Sequence, residues 1–239
     1  KIDVLNDIFN EDKEKIIFSG TTSEELQKVI DNNPNTIIEL DTKQIELHNT
    51  IYLKDNTIIN GNGTKFFADN IRYGFTGESI SNVFINNINI QGNIEYGMYF
   101  VDCTNIKVAN SKINGMLQKS ICIIGTTTGF SITNNEMCNN QAGGIYIAGN
   151  VSNGIIELND IRNNGGTSNW MAGIVITNVL SNDKYNIWET FDEAHHFPYK
   201  ENLYAQLNCP NQLIIRDNQV MYNNASGIYS DGAYLCYIL

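Results

Sequence analysis

The chain has 239 residues, 42% of them hydrophobic and 17% charged, a composition that fits one sizeable folded domain and excludes a disordered segment. A net charge of -11, with no Lys/Arg stripe carrying interleaved aromatics, repels phosphate backbones and excludes nucleic acid as a natural partner. No apolar run is long enough for a membrane span and no basic start leads into an apolar leader, while a first residue of Lys1 fits a processed chain or a piece of a longer one.

The first element is a short helix. In "TTSEELQKVID", Thr22 is placed to cap the N-terminus with Glu25 three residues on, and Leu26, Val29 and Ile30 form one apolar face, so an amphipathic capping helix is expected over residues 22–32. Short apolar runs separated by turn residues follow: "NTIIEL", "QIEL", "TIYL" and "NTIINGNG". From Gly97 onward one stretch recurs. "GMYFVD", "SICIIG", "GIYIAG", "GIVITN" and "GIYSDG" start 23, 24, 29 and 54 residues apart, the spacing of one structural unit that twice carries extra residues.

Apolar positions recur inside the unit. Ile90, Ile113, Met137 and Val220 each stand seven residues before the recurring strand, and Ile85, Val108, Ile132, Ile156 and Ile215 form a column five residues further upstream. Several short strands per 23 to 24 residues, with no helix inside the unit, is what a chain needs to wind as a parallel β-helix whose coils stack at roughly 4.8 Å. Asparagine fits the turns of such a coil. Asn87, Asn110, Asn134 and Asp217 fill one column, with Leu158 the exception, and Asn93, Asn140, Asn164 and Asn223 fill another, with Met116 the exception. Both columns are expected to hold turns, through left-handed backbone and coil-to-coil amide hydrogen bonds. The five cysteines are odd in number and lack paired spacing, so buried free thiols are expected.

With its "NTIINGNGTKF" and Asn-rich coils, the sequence resembles the right-handed parallel β-helix superfamily of pectate lyases, polygalacturonases and mannuronan epimerases over most of residues 20 to 235. The resemblance implies an all-β, single-stranded right-handed solenoid with polysaccharide lying along an outward-facing sheet. It implies an extracellular or cell-surface location, and a calcium ion if the substrate is a uronate. It does not reach a particular enzyme. "RYGFTGE" keeps Tyr73, Gly74 and Phe75 of the epimerase signature but has Thr76, Gly77 and Glu78 where Asp, Pro and His belong. The paired Asp of polygalacturonases and the Arg motif of pectate lyases are missing too.

Alternation along the recurring strand directs Met98, Phe100, Ile145, Ile147, Ile174 and Ile176 inward. Tyr99, Cys122, Tyr146, Val175 and Tyr229 then form one outward column, and Val101, Ile124, Ala148, Thr177 and Asp231 the next. That face is too apolar for bare solvent and calls for a cover. One coil carries both insertions: extra residues around "GGTSNW", and an inserted loop over residues 179–211. The loop holds Trp188, Glu189, Asp192, Glu193, His195, His196 and Tyr199. Sugar stacking is therefore assigned to Tyr99, Tyr146, Tyr229, Trp170, Trp188 and Tyr199, and proton transfer to Asp231, Glu189, Asp192 and His195. Adjacent histidines rarely converge on one ion, so no metal site is assigned.

The leading expectation is a carbohydrate-active protein that binds or cleaves polysaccharide by hydrolysis or elimination, with a C5-epimerase-like enzyme or a non-catalytic assembly module as alternatives. The apolar C-terminal run "GAYLCYIL" lacks a polar cap, so a further domain or a second copy is expected at that end.

Overall fold

The computed structural model describes residues 13–166, 171–178 and 209–239. They form a parallel β-helix with three strands per regular coil, and every pairing between named strands is parallel, as stacked coils of one hand require. One face is a nine-stranded sheet that includes Thr104–Ala109, Thr128–Thr133, Ser152–Glu157 and Asn211–Arg216. The second face includes Lys112–Ile113, Glu136–Cys138, Asp160–Arg162 and Gln219–Met221, and the third Ile121–Gly125, Ile145–Gly149, Ile174–Thr177 and Ile228–Asp231. The long strand Asn89–Val101 runs through both of these faces.

Inside, identical positions stack. Ile59, Ile85, Val108, Ile132, Ile156 and Ile215 pair in register from coil to coil, and all are buried in the main core. Met98, Ile121, Ile145 and Ile174 form a second such column. The recurring glycine opens the third face because the coils approach closely there. A Cβ on Gly144 would stand 2.7 Å from both the Gly173 carbonyl and Ile161 Cγ2.

The helix Ser23–Asn32 closes the N-terminal end. Thr22 and Glu25 form the capping box reciprocally, and Leu26 and Ile30 bury against the core. Ser23 Oγ accepts from the backbone N–H groups of His48 and Asn49, which ties the helix to the first coils.

The two asparagine columns prove to be different devices. Asn87, Asn110, Asn134, Leu158 and Asp217 do take the left-handed turn, with φ between 52° and 57°. Asn140, Asn164 and Asn223 do not. Left-handed backbone in that turn falls one residue earlier, at Gly115, Asn139, Asn163 and Tyr222. The amides instead point inward and form a ladder: Asn140 N–H donates to Asn164 Oδ1 (2.9 Å), Asn164 N–H donates to Asn223 Oδ1 (3.0 Å), and Asn164 Nδ2 donates to the Met137 carbonyl (2.8 Å). Asn93 stays outside and donates to Asp69 (2.9 Å). A parallel inward ladder runs through Ser111, Asn135, Asn159 and Asn218 at the other turn. A bend leaves backbone groups that no strand neighbour satisfies, and a buried amide with both donor and acceptor supplies them.

The cysteines are free thiols; Cys103, Cys122, Cys138 and Cys209 are buried. At the C-terminal end the last coil exposes Tyr222, Tyr234, Tyr237, Ile238 and Leu239.

Candidate functional site

The outward side of the third face is a second apolar cluster, separate from the core. Register places Thr76, Tyr99, Cys122, Tyr146, Val175 and Tyr229 in one column, and Val101, Ile124, Ala148, Thr177 and Asp231 in the next. The sequence expectation of a covered face agrees with what is seen. Tyr96, Tyr99, Cys122, Ile124, Tyr146, Ala148 and Val175 are all buried, and half-buried Tyr73 and Tyr229 pack at the two rims.

Ring contacts knit the cluster together. Tyr73 lies 5.6 Å from Tyr96 and 4.7 Å from Tyr99, and Tyr96 meets Tyr99 edge-on at 5.3 Å. Burial raises the pKa of all three phenols and of Tyr146, which keeps them protonated at neutral pH.

Beside Tyr146 is Lys119, fully buried, with Nζ 5.4 Å from the Tyr146 centroid and donating to the Ala142 carbonyl. The neighbouring coil makes room for it. A Cβ on Gly143, whose φ is +123°, would come within 2.9 Å of Lys119 Nζ and 2.4 Å of the Ala172 carbonyl. Burial disfavours the ammonium and brings the pKa down to about 7, against a smaller opposing effect of Cys122. A lysine near neutrality beside the protonated phenol of Tyr146 is a pair able to exchange protons.

Of the residues assigned from sequence, Tyr99 and Tyr146 lie inside this cluster with their rings buried. Tyr229 sits at the rim, and its phenol hydrogen-bonds to exposed Asp231; desolvation first, then that carboxylate, raises the Tyr229 pKa. Three rungs, roughly 14 Å, separate the Lys119 coil from the Tyr229 and Asp231 coil, too far for both to serve one sugar bond. Trp170, Trp188, Glu189, Asp192, His195 and Tyr199 lie outside the described residues. Lys119 was not among the residues picked from sequence. Among the described residues no three of His, Cys, Asp or Glu come together to hold a metal, and no helix is long and apolar enough to cross a membrane.

Coil geometry, inward ladders and a helical cap define a parallel β-helix protein with a tyrosine-lined outward face. Residues 73–236 match the family model for the right-handed β-helix region, and the chain belongs to that family. No curated protein matches the sequence. Among solved structures, the alginate lyase from Paenibacillus sp. str. FPU-7 superposes with a TM-score of 0.50 at 13% identity, covering 85% of this chain and 75% of that one. A double mutant of the periplasmic alginate epimerase AlgG gives a TM-score of 0.45 at 15% identity, covering 94% of this chain and 58% of that one. At such identities the likeness is one of fold.

Proposed function

We propose that the protein is carbohydrate-active, binding or cleaving a polysaccharide at the tyrosine-rich side of the third sheet. The approach is from the half-buried rim at Tyr73, because Lys119, Tyr99 and Tyr146 are themselves buried. Lys119 carries this reading. A lysine held out of water beside Tyr146 costs stability, and Met would fill the same space at no such cost. Local rules broken against stability are characteristic of functional sites.

The protonation states suit elimination from a uronate. Lys119, neutral for a large share of molecules near pH 7, takes the C5 proton that the sugar carboxylate acidifies. The neighbouring phenol of Tyr146 gives its proton to the leaving O4 as the C4–O4 bond breaks and the C4–C5 double bond forms. Return of a proton to the other side of C5 would instead epimerise it. Hydrolysis would call instead on carboxylates: Asp231, which hydrogen-bonds Tyr229, and Glu189 and Asp192 with His195, which lie outside the described residues. Polymers of this kind lie outside the cell membrane, where the protein would meet them.

A second reading, a non-catalytic structural or assembly module, draws on the depth of burial of Cys122, Ile124, Ala148 and Val175. Incubation with alginate, polygalacturonate, xylan and glucan, followed by product analysis, separates the two. Unsaturated oligosaccharides from a uronate polymer, lost in Lys119→Met, are the expected result. New reducing ends without a double bond would move the chemistry to the carboxylates. Binding to none of the four polymers would leave the module.

A further inference from the structure

Toward the N-terminus, the outward column does not stop at Tyr99. It passes through Thr76 to Tyr52, in register at each step. Tyr52 is 60% exposed where Tyr99 is 5%. Between them Thr76 is short and turns its hydroxyl onto the Tyr99 carbonyl (2.9 Å), and the ring of Tyr73 stands 4.7 Å from that of Tyr99. Arg72 sets its guanidinium 5.3 Å from the Tyr73 centroid and holds Glu95 at 3.6 Å, with both side chains about half exposed. Tyr73 thus joins the buried rings of Tyr96 and Tyr99 to the surface, and Tyr52 stands in solvent one coil beyond Thr76 on the same face.

The exposed end of this face is held in place. Ile51–Tyr52 is a two-residue strand, and Gln27 of the capping helix supplies what a further strand would. Gln27 Nε2 donates to the Tyr52 carbonyl and Tyr52 N–H donates to Gln27 Oε1, both at 2.8 Å. A single exposed tyrosine is ordinary on a protein surface. One whose backbone is clamped on both polar groups, on the face that carries Tyr73 and its guanidinium, is a prepared platform.

We propose that Tyr52, Tyr73 and Arg72 form an entry subsite that binds sugar units flanking the one placed at Lys119. The proposal rests on the reading of the Lys119 face as the carbohydrate site. The C–H faces of pyranose rings pack on Tyr52 and Tyr73, and Arg72 takes hydroxyl or carboxylate oxygens with its planar fork. The polymer then lies along the axis of the β-helix, its successive units meeting successive rungs about 4.8 Å apart.

The test is titration of the protein with trimeric and hexameric oligosaccharides of whichever panel polymer it binds: alginate, polygalacturonate, xylan or glucan. The wild type should bind the hexamer more tightly than the trimer. Tyr52→Ala and Arg72→Ala should each remove about tenfold of that gain. Tyr52→Trp, which keeps a ring, should retain it, and Arg72→Lys should recover only part, since an ammonium lacks the fork. If Tyr52→Ala and Arg72→Ala keep the whole hexamer gain while Lys119→Met loses turnover, the subsite is overturned and the reading of Lys119 stands. A wild type that binds no oligosaccharide of the panel overturns both.

Discussion

Replacing Lys119 with Met should stabilise the protein by an amount that depends on pH. In the folded state burial brings the lysine pKa to about 7, whereas the unfolded chain titrates near the ordinary 10.5. Between those values the unfolded chain holds a proton that the native site has released, so wild-type stability rises with pH at up to about 1.4 kcal/mol per unit. Below pH 7 both states are charged and the slope vanishes. Met has no such dependence. The advantage of Lys119→Met over wild type is therefore about 4 kcal/mol at pH 7 from ionisation alone and levels off near about 5 kcal/mol below it. It shrinks by about 2 kcal/mol on going to pH 9 and disappears above about pH 10.5. Cys122, whose pKa burial raises, pulls the other way in alkali, and since Lys119 lowers that pKa by less than burial raises it, the pull is present in both proteins with only a small difference between them. Urea unfolding of both proteins at unit steps from pH 6 to pH 9 reads it directly. A gap that does not change with pH would mean that Lys119 is charged throughout in the folded state, which would refute the burial argument and remove the base from the proposed chemistry.

Two further substitutions test the coil itself. Leu158 takes φ 57° in a turn column otherwise built of Asn and Asp, and it is 43% exposed. Leu158→Asn should raise stability by about 1 kcal/mol, since Leu bears the left-handed penalty that Asn largely escapes; an unchanged or lower urea midpoint would contradict this. Asn159→Ala should cost about 2–4 kcal/mol, because Asn159 Oδ1 is the acceptor for the buried Asn135 N–H (2.9 Å) and its Nδ2 serves the Ile132 carbonyl (2.9 Å). A loss below about 1 kcal/mol would show that the inward ladder is not what satisfies that turn.

Register was legible in the sequence because a stacked coil repeats the same physical demand at each rung. The column from Ile85 to Ile215 must be apolar and of similar volume at every step, so five positions carry one message. The left-handed turn at Asn87, Asn110 and Asn134 repeats in the same way. The inward ladders were harder to read. The doublets Asn110–Ser111, Asn134–Asn135 and Asp217–Asn218 place a left-handed residue directly before one that hydrogen-bonds along the inward ladder, and composition alone does not say which of the two faces the core. The doublets were the available signal: a turn needs one left-handed residue, and the second polar residue then has a different task.

The candidate site was the least legible part, for the opposite reason. An outward residue on a rung meets no steric demand from the core, so Thr76, Tyr99, Cys122, Tyr146 and Val175 follow one another in a single column with no chemical repeat. Lys119, a charge next to the recurring strand in "LQKSICIIG", belongs to no inserted loop, carboxylate cluster or motif that would single it out. Aligning the coils reveals the signal. The chain opposite Lys119 in the next coil is Gly143, and the space that a Cβ would fill there is taken by the lysine Nζ. A missing side chain on one coil and a long charged one on its neighbour are a single feature written 24 residues apart. In a solenoid the inside is read along a column and the outside between adjacent rungs, where a glycine opposite a long polar side chain marks the space that the two coils share.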